Sequence, residues 1–127
     1  MLSEAKKVGK MRSVEQFENL IAKFYNSKYA VAVDCCTHAI ELCLRYKKPD
    51  YVTIPKHTYL SVPMTLMKLG INFEWHDVLW NDYYYLGNTN IIDGAVYWKH
   101  NGYIPDTFMC LSFQYKKHLK LGRGGMI

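Results

Sequence analysis

The residues in this sequence that could most readily do chemistry are a serine and two lysines near its end. Ser112 lies in the apolar run of residues 107–113, which is typical of a buried strand. Lys116 and Lys117 follow that run and precede a glycine-rich turn. A lysine amine becomes a useful nucleophile when desolvation or a nearby cation lowers its pKa. The pattern therefore indicates an amine held near a reactive carbonyl group.

A second candidate group follows the apolar run of residues 29–33, which is typical of a strand buried on both faces. Residues 34–38 (Asp-Cys-Cys-Thr-His) stand at the head of a predicted helix, where free N–H groups and the helix dipole favour a phosphate. The Thr37 hydroxyl would add a hydrogen bond. The alternative is that Asp34 or Thr37 is simply the N-cap of the helix.

Two further predicted strand ends carry an aromatic residue and an acid. Tyr59 follows the strand at 51–54, and its ring could lie flat against a heteroaromatic ring or pack in the core. Asp93 follows two isoleucines, where an ionised carboxylate is costly unless it is paired. It could bind a protonated nitrogen, or it could be a cap or turn residue. Together with the predicted phosphate site at residues 34–38 and the lysines, these are the groups that a pyridoxal phosphate (PLP) site needs.

Helical and extended patterns alternate along the chain and would bring these groups together. The predicted elements are a helix from the capping box at Ser13, a strand at 29–33, a helix from Thr37, a strand at 51–54, a helix at 58–69, and strands at 71–77, 91–93 and 107–113. Such alternation predicts an α/β fold with a mainly parallel sheet covered by helices. Residues 1–12 lack periodicity and are expected to form an N-terminal arm ahead of one domain, residues 13–127.

The charge balance is basic, with 16 Lys and Arg residues against 11 Asp and Glu residues and a formal net charge of +5. This surplus suits an anionic partner such as a phosphorylated cofactor, a nucleotide-linked substrate or nucleic acid. No nucleic-acid motif is recognisable, so nucleic acid ranks last and no such partner is expected. No apolar run approaches the roughly 20 residues of a membrane span, and no signal-peptide pattern is evident. A cytoplasmic protein is expected.

The four cysteines have neither the density of a disulfide scaffold nor the C-x-x-C spacing of a metal site. Adjacent cysteines, as at Cys35 and Cys36, do not easily serve one tetrahedral site. Free cysteine often packs as a small apolar residue. The sequence therefore predicts buried, reduced thiols and no metal.

In register and order, these motifs resemble the DegT/DnrJ/StrS family of PLP-dependent sugar aminotransferases, whose fold is that of aspartate aminotransferase (fold type I). The matching segments are Phe17-Glu18 for the family's F-E, residues 29–33, residues 35–40 for S-G-T-x-A-L, residues 54–59 for P-x-x-T-[YW], residues 70–78 for G…F-x-D-V, residues 92–95 for E-D-A-A, and residues 112–125 for S-F-x-x-x-K with the E-G-G turn. One such motif is weakly specific, whereas the six that match a family pattern, taken in order, are specific.

The resemblance implies a role for each candidate residue. Lys117, whose distance from Ser112 matches the family spacing better than that of Lys116, would carry PLP as a Schiff base. It would later move the proton between the substrate and cofactor carbons. Asp93 would pair with the pyridinium nitrogen, and Tyr59 would stack on the ring. The implied reaction is transfer of an amino group from glutamate to a nucleotide-linked keto sugar, by a homodimer active in polysaccharide biosynthesis.

The PLP phosphate would bind the backbone N–H groups of Cys36 and Thr37 and the hydroxyls of Thr37 and Ser112. Three positions depart from the family pattern. Cys36 replaces a glycine, Val96 replaces a polar residue that contacts the cofactor's phenolic oxygen, and Arg123 replaces the acid before the paired glycines.

The resemblance also implies a longer protein. The family has a strand and a helix between the positions of Asp77 and Asp93, and it continues beyond Ile127 with the rest of its large domain and a small C-terminal domain. We therefore expect a truncated version of the PLP-transferase large domain, a three-layer α/β sandwich with a mainly parallel sheet. An alternative to catalysis is a reduced, non-catalytic module with an interaction or regulatory role.

Overall fold

A computed structural model describes residues 2–114 and 116–127, with side chains from residue 12 onward. In these ranges the elements are α1 (Leu2–Tyr25), β1 (Ala32–Val33), α2 (Cys36–Lys47), β2 (Tyr51–Pro55), α3 (Ser61–Leu69), β3 (Asn72–His76), β4 (Tyr84–Tyr85), β5 (Ile91–Asp93), β6 (Phe108–Ser112) and β7 (Gly125–Met126). None of the helices so described has the length and apolar character needed to cross a bilayer.

The strands confirm the α/β class, but the sheet is mixed rather than mainly parallel. Five strands lie in the order β1-β7-β6-β5-β4, and β2 and β3 form a separate parallel pair. Within the five, only β5 and β6 are parallel, whereas the other three pairs are antiparallel. A hydrogen bond of 2.8 Å from the Gly87 N–H to the Thr53 carbonyl connects the segment after β4 to β2.

The short connection between β4 and β5 explains one antiparallel pair. Residues 86–90 are all that separate the two strands. A parallel pair needs a crossover of a dozen or more residues, whereas antiparallel strands need only a tight turn. The stretch before Asp93 therefore forms a hairpin, in which Tyr84 lies opposite Asp93.

The helices occur where they are predicted, but not all of their ends agree. In α2 the apolar residues Ala39, Ile40, Cys43 and Leu44 lie at helical spacing, and all four are buried. As predicted, α3 ends at Gly70, whose φ of 69° is the left-handed conformation that favours glycine. The predicted start of the first helix at Ser13 is wrong, because α1 begins at Leu2. That residues 1–12 form an arm outside the domain stays a prediction. Residues 2–12 contain several good helix formers, and propensity continues the helix there although the apolar pattern does not.

Two hydrophobic cores lie on opposite faces of the sheet. Along β6, Phe108 and Cys110 pack with the core beneath α2 and α3, whereas Met109 and Leu111 pack with the core beneath α1. This alternation is the period of two that a strand covered on both faces requires. The result is three layers, with α1 on one side of the sheet and α2 and α3 on the other.

Candidate functional site

One cleft is lined by all six residues of the predicted cofactor site. It lies where β5 and β6 end, beside the first turn of α2. The predicted residues along its wall are Cys36, Thr37, Tyr59, Asp93, Ser112 and Lys117. Further wall residues are Ile40, Thr58, Ser61, Val62, Trp80, Ala95, Val96 and Gln114. Because β5 and β6 are parallel, their carboxyl ends deliver Asp93 and Ser112 to the same edge of the sheet.

The first turn of α2 presents its backbone to this cleft. The helix begins at Cys36, and its N-cap is Cys35 in an extended conformation. The predicted alternative that Asp34 or Thr37 is the N-cap is therefore wrong. Among the described residues, no side chain caps the helix. The Thr37 hydroxyl instead donates to Ser61 Oγ at 2.9 Å. The N–H groups of a first turn without such a cap are suited to an anion.

The paired glycines of the last turn allow β7 to pass close to this helix end. A Cβ atom on Gly125 would lie 2.6 Å from the carbonyl carbon of Cys35, which no side chain can tolerate. Gly124 has a φ of 117°, a conformation that other residues rarely adopt. Close packing of backbone against backbone thus fixes the position of the helix N-terminus relative to the sheet.

Asp93 is a buried carboxylate at the floor of the cleft, with a relative exposure of 7%. Its Oδ2 accepts a 2.8 Å hydrogen bond from the Tyr84 hydroxyl, and its Oδ1 accepts one of 3.1 Å from the Ala95 N–H. Burial raises the pKa of Asp93, although these bonds and the charge of Lys117 act in the other direction. A carboxylate of this kind gains stability from a cation brought into the cleft.

Tyr84 contacts the buried acid of the cleft, and the sequence analysis did not single it out. Its phenol bonds both Asp93 and the Thr58 hydroxyl, and burial raises its pKa, so the phenol stays protonated as a donor. The sequence offers three consecutive tyrosines here, and only the hairpin distinguishes them. Once residues 86–90 are recognised as a tight turn, the pairing of Tyr84 with Asp93 follows.

Lys117 is the lysine of the pair that reaches the cleft. Its side chain is half-buried. Its backbone N–H donates to the Gln114 carbonyl at 2.9 Å, and this bond fixes the turn after β6. Its charge opposes the rise that burial causes in the pKa of both Asp93 and Cys36. Lys116 is exposed and lines an adjoining cavity. Lys117 thus lines both the cleft and the adjoining cavity, and its role as the cofactor lysine stays a prediction.

The aromatic residues at the mouth of the cleft differ in how firmly they are held. Tyr59 is 71% exposed and stands at the rim. Trp80, which the sequence reasoning missed, donates its indole N–H to the His57 carbonyl at 2.7 Å and packs edge-on against Tyr84. Val96 brings an apolar side chain to the same wall.

All four cysteines are free, as predicted, but only two of them are buried. Cys43 and Cys110 lie in the core, with sulfurs 3.8 Å apart. Cys35 and Cys36 are each partly exposed beside the cleft. Burial of its thiol, followed by the charge of Asp93, raises the pKa of Cys36, so that thiol stays neutral.

Comparison with known proteins gives a family and a fold. Residues 2–88 match the model of the DegT/DnrJ/EryC1/StrS aminotransferase family. Among curated proteins, none matches the chain significantly in sequence.

Three solved structures illustrate the similarity in fold, each covering 89% of this chain. Spr1654 of Streptococcus pneumoniae, assigned as a sugar aminotransferase and solved in its PLP form, is 16% identical with a TM-score of 0.72. A 3-amino-5-hydroxybenzoic acid synthase is 21% identical with a TM-score of 0.68. A GDP-4-keto-6-deoxymannose-3-dehydratase with bound GDP-perosamine is 17% identical with a TM-score of 0.66. The chain spans only 44%, 41% and 42% of these proteins, respectively.

Proposed function

Since the chain belongs to the DegT/DnrJ/EryC1/StrS aminotransferase family, we propose that its cleft binds PLP and that the protein takes part in amino-group transfer. The observation that carries this proposal is the convergence of three groups in one cleft. They are the first turn of α2, the buried carboxylate of Asp93 and the amine of Lys117. Each suits a different part of the cofactor, namely its phosphate, its pyridine nitrogen and its aldehyde.

The phosphate end of the proposed site is the N-terminus of α2. The backbone N–H groups of Cys36 and Thr37 would bind the phosphate oxygens, since the helix dipole favours a negative charge there. The hydroxyls of Thr37 and Ser112 would add hydrogen bonds. Ser61, which already contacts the Thr37 hydroxyl, supplies a third hydroxyl at the same place.

Asp93 lies at the end of the proposed site that would hold the pyridine nitrogen. Its carboxylate would pair with the protonated pyridine nitrogen, and the Tyr84 phenol would keep it oriented. When bound, the cofactor supplies an electron sink for the carbon that loses its proton. Lys117 Nζ would attach the cofactor covalently and afterwards accept and return that proton. Tyr59 would cover the exposed ring face, and Trp80 would shield the rim from water.

The proposed substrates are glutamate as amino donor and a nucleotide-linked keto sugar as acceptor. The basic groups Lys116 and Arg123 line the cavity next to the cleft, where they suit the phosphates of a nucleotide. The net charge of +5 favours the same class of anionic ligand. We also propose a cytoplasmic homodimer, as the resemblance implies.

A second candidate is a non-catalytic module that keeps the cofactor site without turnover. It is favoured by Val96, whose side chain cannot hydrogen-bond the phenolic oxygen of the cofactor. Cofactor binding without amino transfer from glutamate to any nucleotide keto sugar would support this candidate. Amino transfer that depends on Lys117 would reject it.

The cofactor proposal is tested by titrating the full chain with PLP and following visible absorption. We expect wild type to develop a protein-bound band and Lys117→Ala to lose it. Lys116→Ala is the matched control, since that side chain lines the adjoining cavity, and it should keep the band. If Lys117→Ala develops the same band as wild type, the assignment of the lysine is wrong.

A further inference from the structure

A second cluster of reactive side chains lies just outside the cleft, in the segment between β1 and the second turn of α2. We infer that Asp34, Cys35 and His38 form a binding site for a divalent transition-metal ion of the zinc type. Their carboxylate oxygen, thiol sulfur and imidazole nitrogen all lie within 4.8 Å of one another. The closest pair is Asp34 Oδ1 and His38 Nδ1, at 2.7 Å.

The distances between the three donor atoms are close to those between the ligand atoms of a tetrahedral metal site. Metal–sulfur bonds of about 2.3 Å and metal–nitrogen or metal–oxygen bonds of about 2.0–2.1 Å place neighbouring donor atoms roughly 3.3–3.6 Å apart. The Asp34–His38 pair therefore has to open slightly, and Cys35 Sγ has to approach. Both are changes of side-chain torsion, because Asp34 and His38 are more than half exposed and free to adjust.

The backbone that carries the cluster is held firmly. The Cys35 carbonyl accepts a 3.1 Å hydrogen bond from the Ala39 N–H, and Cys35 pairs with Gly124 across an isolated bridge. Gly125 packs directly against the Cys35 backbone. His38 follows in the first turn of the same helix. A site on such a rigid frame loses little conformational entropy when it binds an ion.

The donor types select the ion. A thiolate and an imidazole suit zinc and similar first-row ions, whereas magnesium and calcium prefer oxygen ligands alone. The Asp34 carboxylate adds an oxygen donor, which zinc also accepts. Three protein ligands leave a fourth position for water or an exchangeable anion.

The surrounding charge sets a limit on the affinity. The cavity that the three ligands line is also lined by Lys116, Lys117 and Arg123, which repel a free cation. A thiolate and a carboxylate together neutralise a divalent ion, so the bound group carries no net charge. The site should therefore favour ions that bind the thiolate strongly and reject magnesium.

Cobalt(II) reports directly on this coordination. The full chain, freed of metal by a chelator and without PLP, is titrated with Co²⁺. We expect a thiolate-to-cobalt charge-transfer band together with intense visible bands of a four-coordinate ion, both removed by added Zn²⁺. Cys35→Ser should abolish the charge-transfer band, and His38→Ala should weaken binding by more than about 100-fold, since even a residue behind a ligand commonly contributes 10- to 100-fold.

Two matched variants separate this site from its neighbours. Cys36→Ser removes the adjacent thiol, and His57→Ala removes another exposed imidazole; both should bind Co²⁺ as wild type does. Far-ultraviolet circular dichroism establishes that each variant is folded. A wild-type titration without a charge-transfer band, or a band that survives Cys35→Ser in folded protein, would overturn the site. Lys117→Ala should keep the metal bands, so failure of the cofactor proposal leaves this result unaffected.

Discussion

Asp34 and Asp93 both lie where strands meet the N-terminus of α2, but their surroundings shift their pKa values in opposite directions. Asp93 is buried, and burial raises its pKa against the hydrogen bond from Tyr84. Asp34 has a side chain that is 57% exposed, and the hydrogen bond from His38 lowers its pKa. The buried acid gains from an incoming cation inside the cleft, whereas the exposed acid already has a partner. Burial, and not residue type, thus separates the proposed cofactor acid from the proposed metal ligand.

The largest expected effect comes from removing the buried charge. We expect Asp93→Asn to weaken PLP binding by about 100-fold or more, because losing one partner of a buried charge pair costs about 3–5 kcal/mol. Fluorescence titration with PLP measures the change. Asp77→Asn removes an exposed carboxylate that contacts Lys56, and it should bind as wild type does. Equal affinities for wild type and Asp93→Asn would show that Asp93 does not pair with the cofactor.

A smaller effect is expected when the support of Asp93 is removed. Tyr84→Phe takes away the phenol that donates to Asp93 and should weaken PLP binding about tenfold, since a hydrogen bond to a charged group contributes about 1.5 kcal/mol or more. Tyr85→Phe is the control, because Tyr85 is 41% exposed on the other face of β4. If the two variants lose affinity equally, the effect comes from the strand and not from the phenol.

The smallest effect is a difference in the pH dependence of stability, measured without cofactor. The raised pKa of Asp93 means that the folded state binds its proton more readily than the unfolded chain does. Its ionisation therefore lowers the free energy of unfolding as pH rises from the ordinary value of 3.8 through the raised pKa. For Asp34, whose folded pKa is lowered, stability is present above 3.8 and is lost as pH falls through the folded pKa.

Denaturant unfolding across this pH range checks both signs. The stability of wild type relative to Asp93→Asn should increase as pH is lowered from neutral. The stability of wild type relative to Asp34→Asn should decrease over the acidic part of the range. Slopes of the same sign for the two comparisons would contradict the assigned environments.

Local patterns predicted the parts of this molecule that local forces determine. The buried face of α2 and the glycine that ends α3 follow from apolar spacing and backbone preference. The strand ends that carry Asp93 and Ser112 were also predictable, because ligand-binding groups in α/β sheets gather there.

The features that were missed depend on contacts distant in sequence. The N-cap at Cys35 carries no capping side chain of its own; its backbone is fixed by Gly124 and Gly125 from the far end of the chain. Tyr84 is distinguished from its neighbours only by its pairing with Asp93 across the hairpin. The pattern of residue types along the sequence predicts neither of these contacts.

The most direct test of the central claim is to find the residue that PLP modifies. The full chain is incubated with PLP, reduced with borohydride, digested and mapped by mass spectrometry. We predict a stable pyridoxyl group on Lys117, with little on Lys116, whose side chain faces the adjoining cavity. Modification spread over the exposed lysines, or concentrated on Lys116, would contradict the proposed cofactor site.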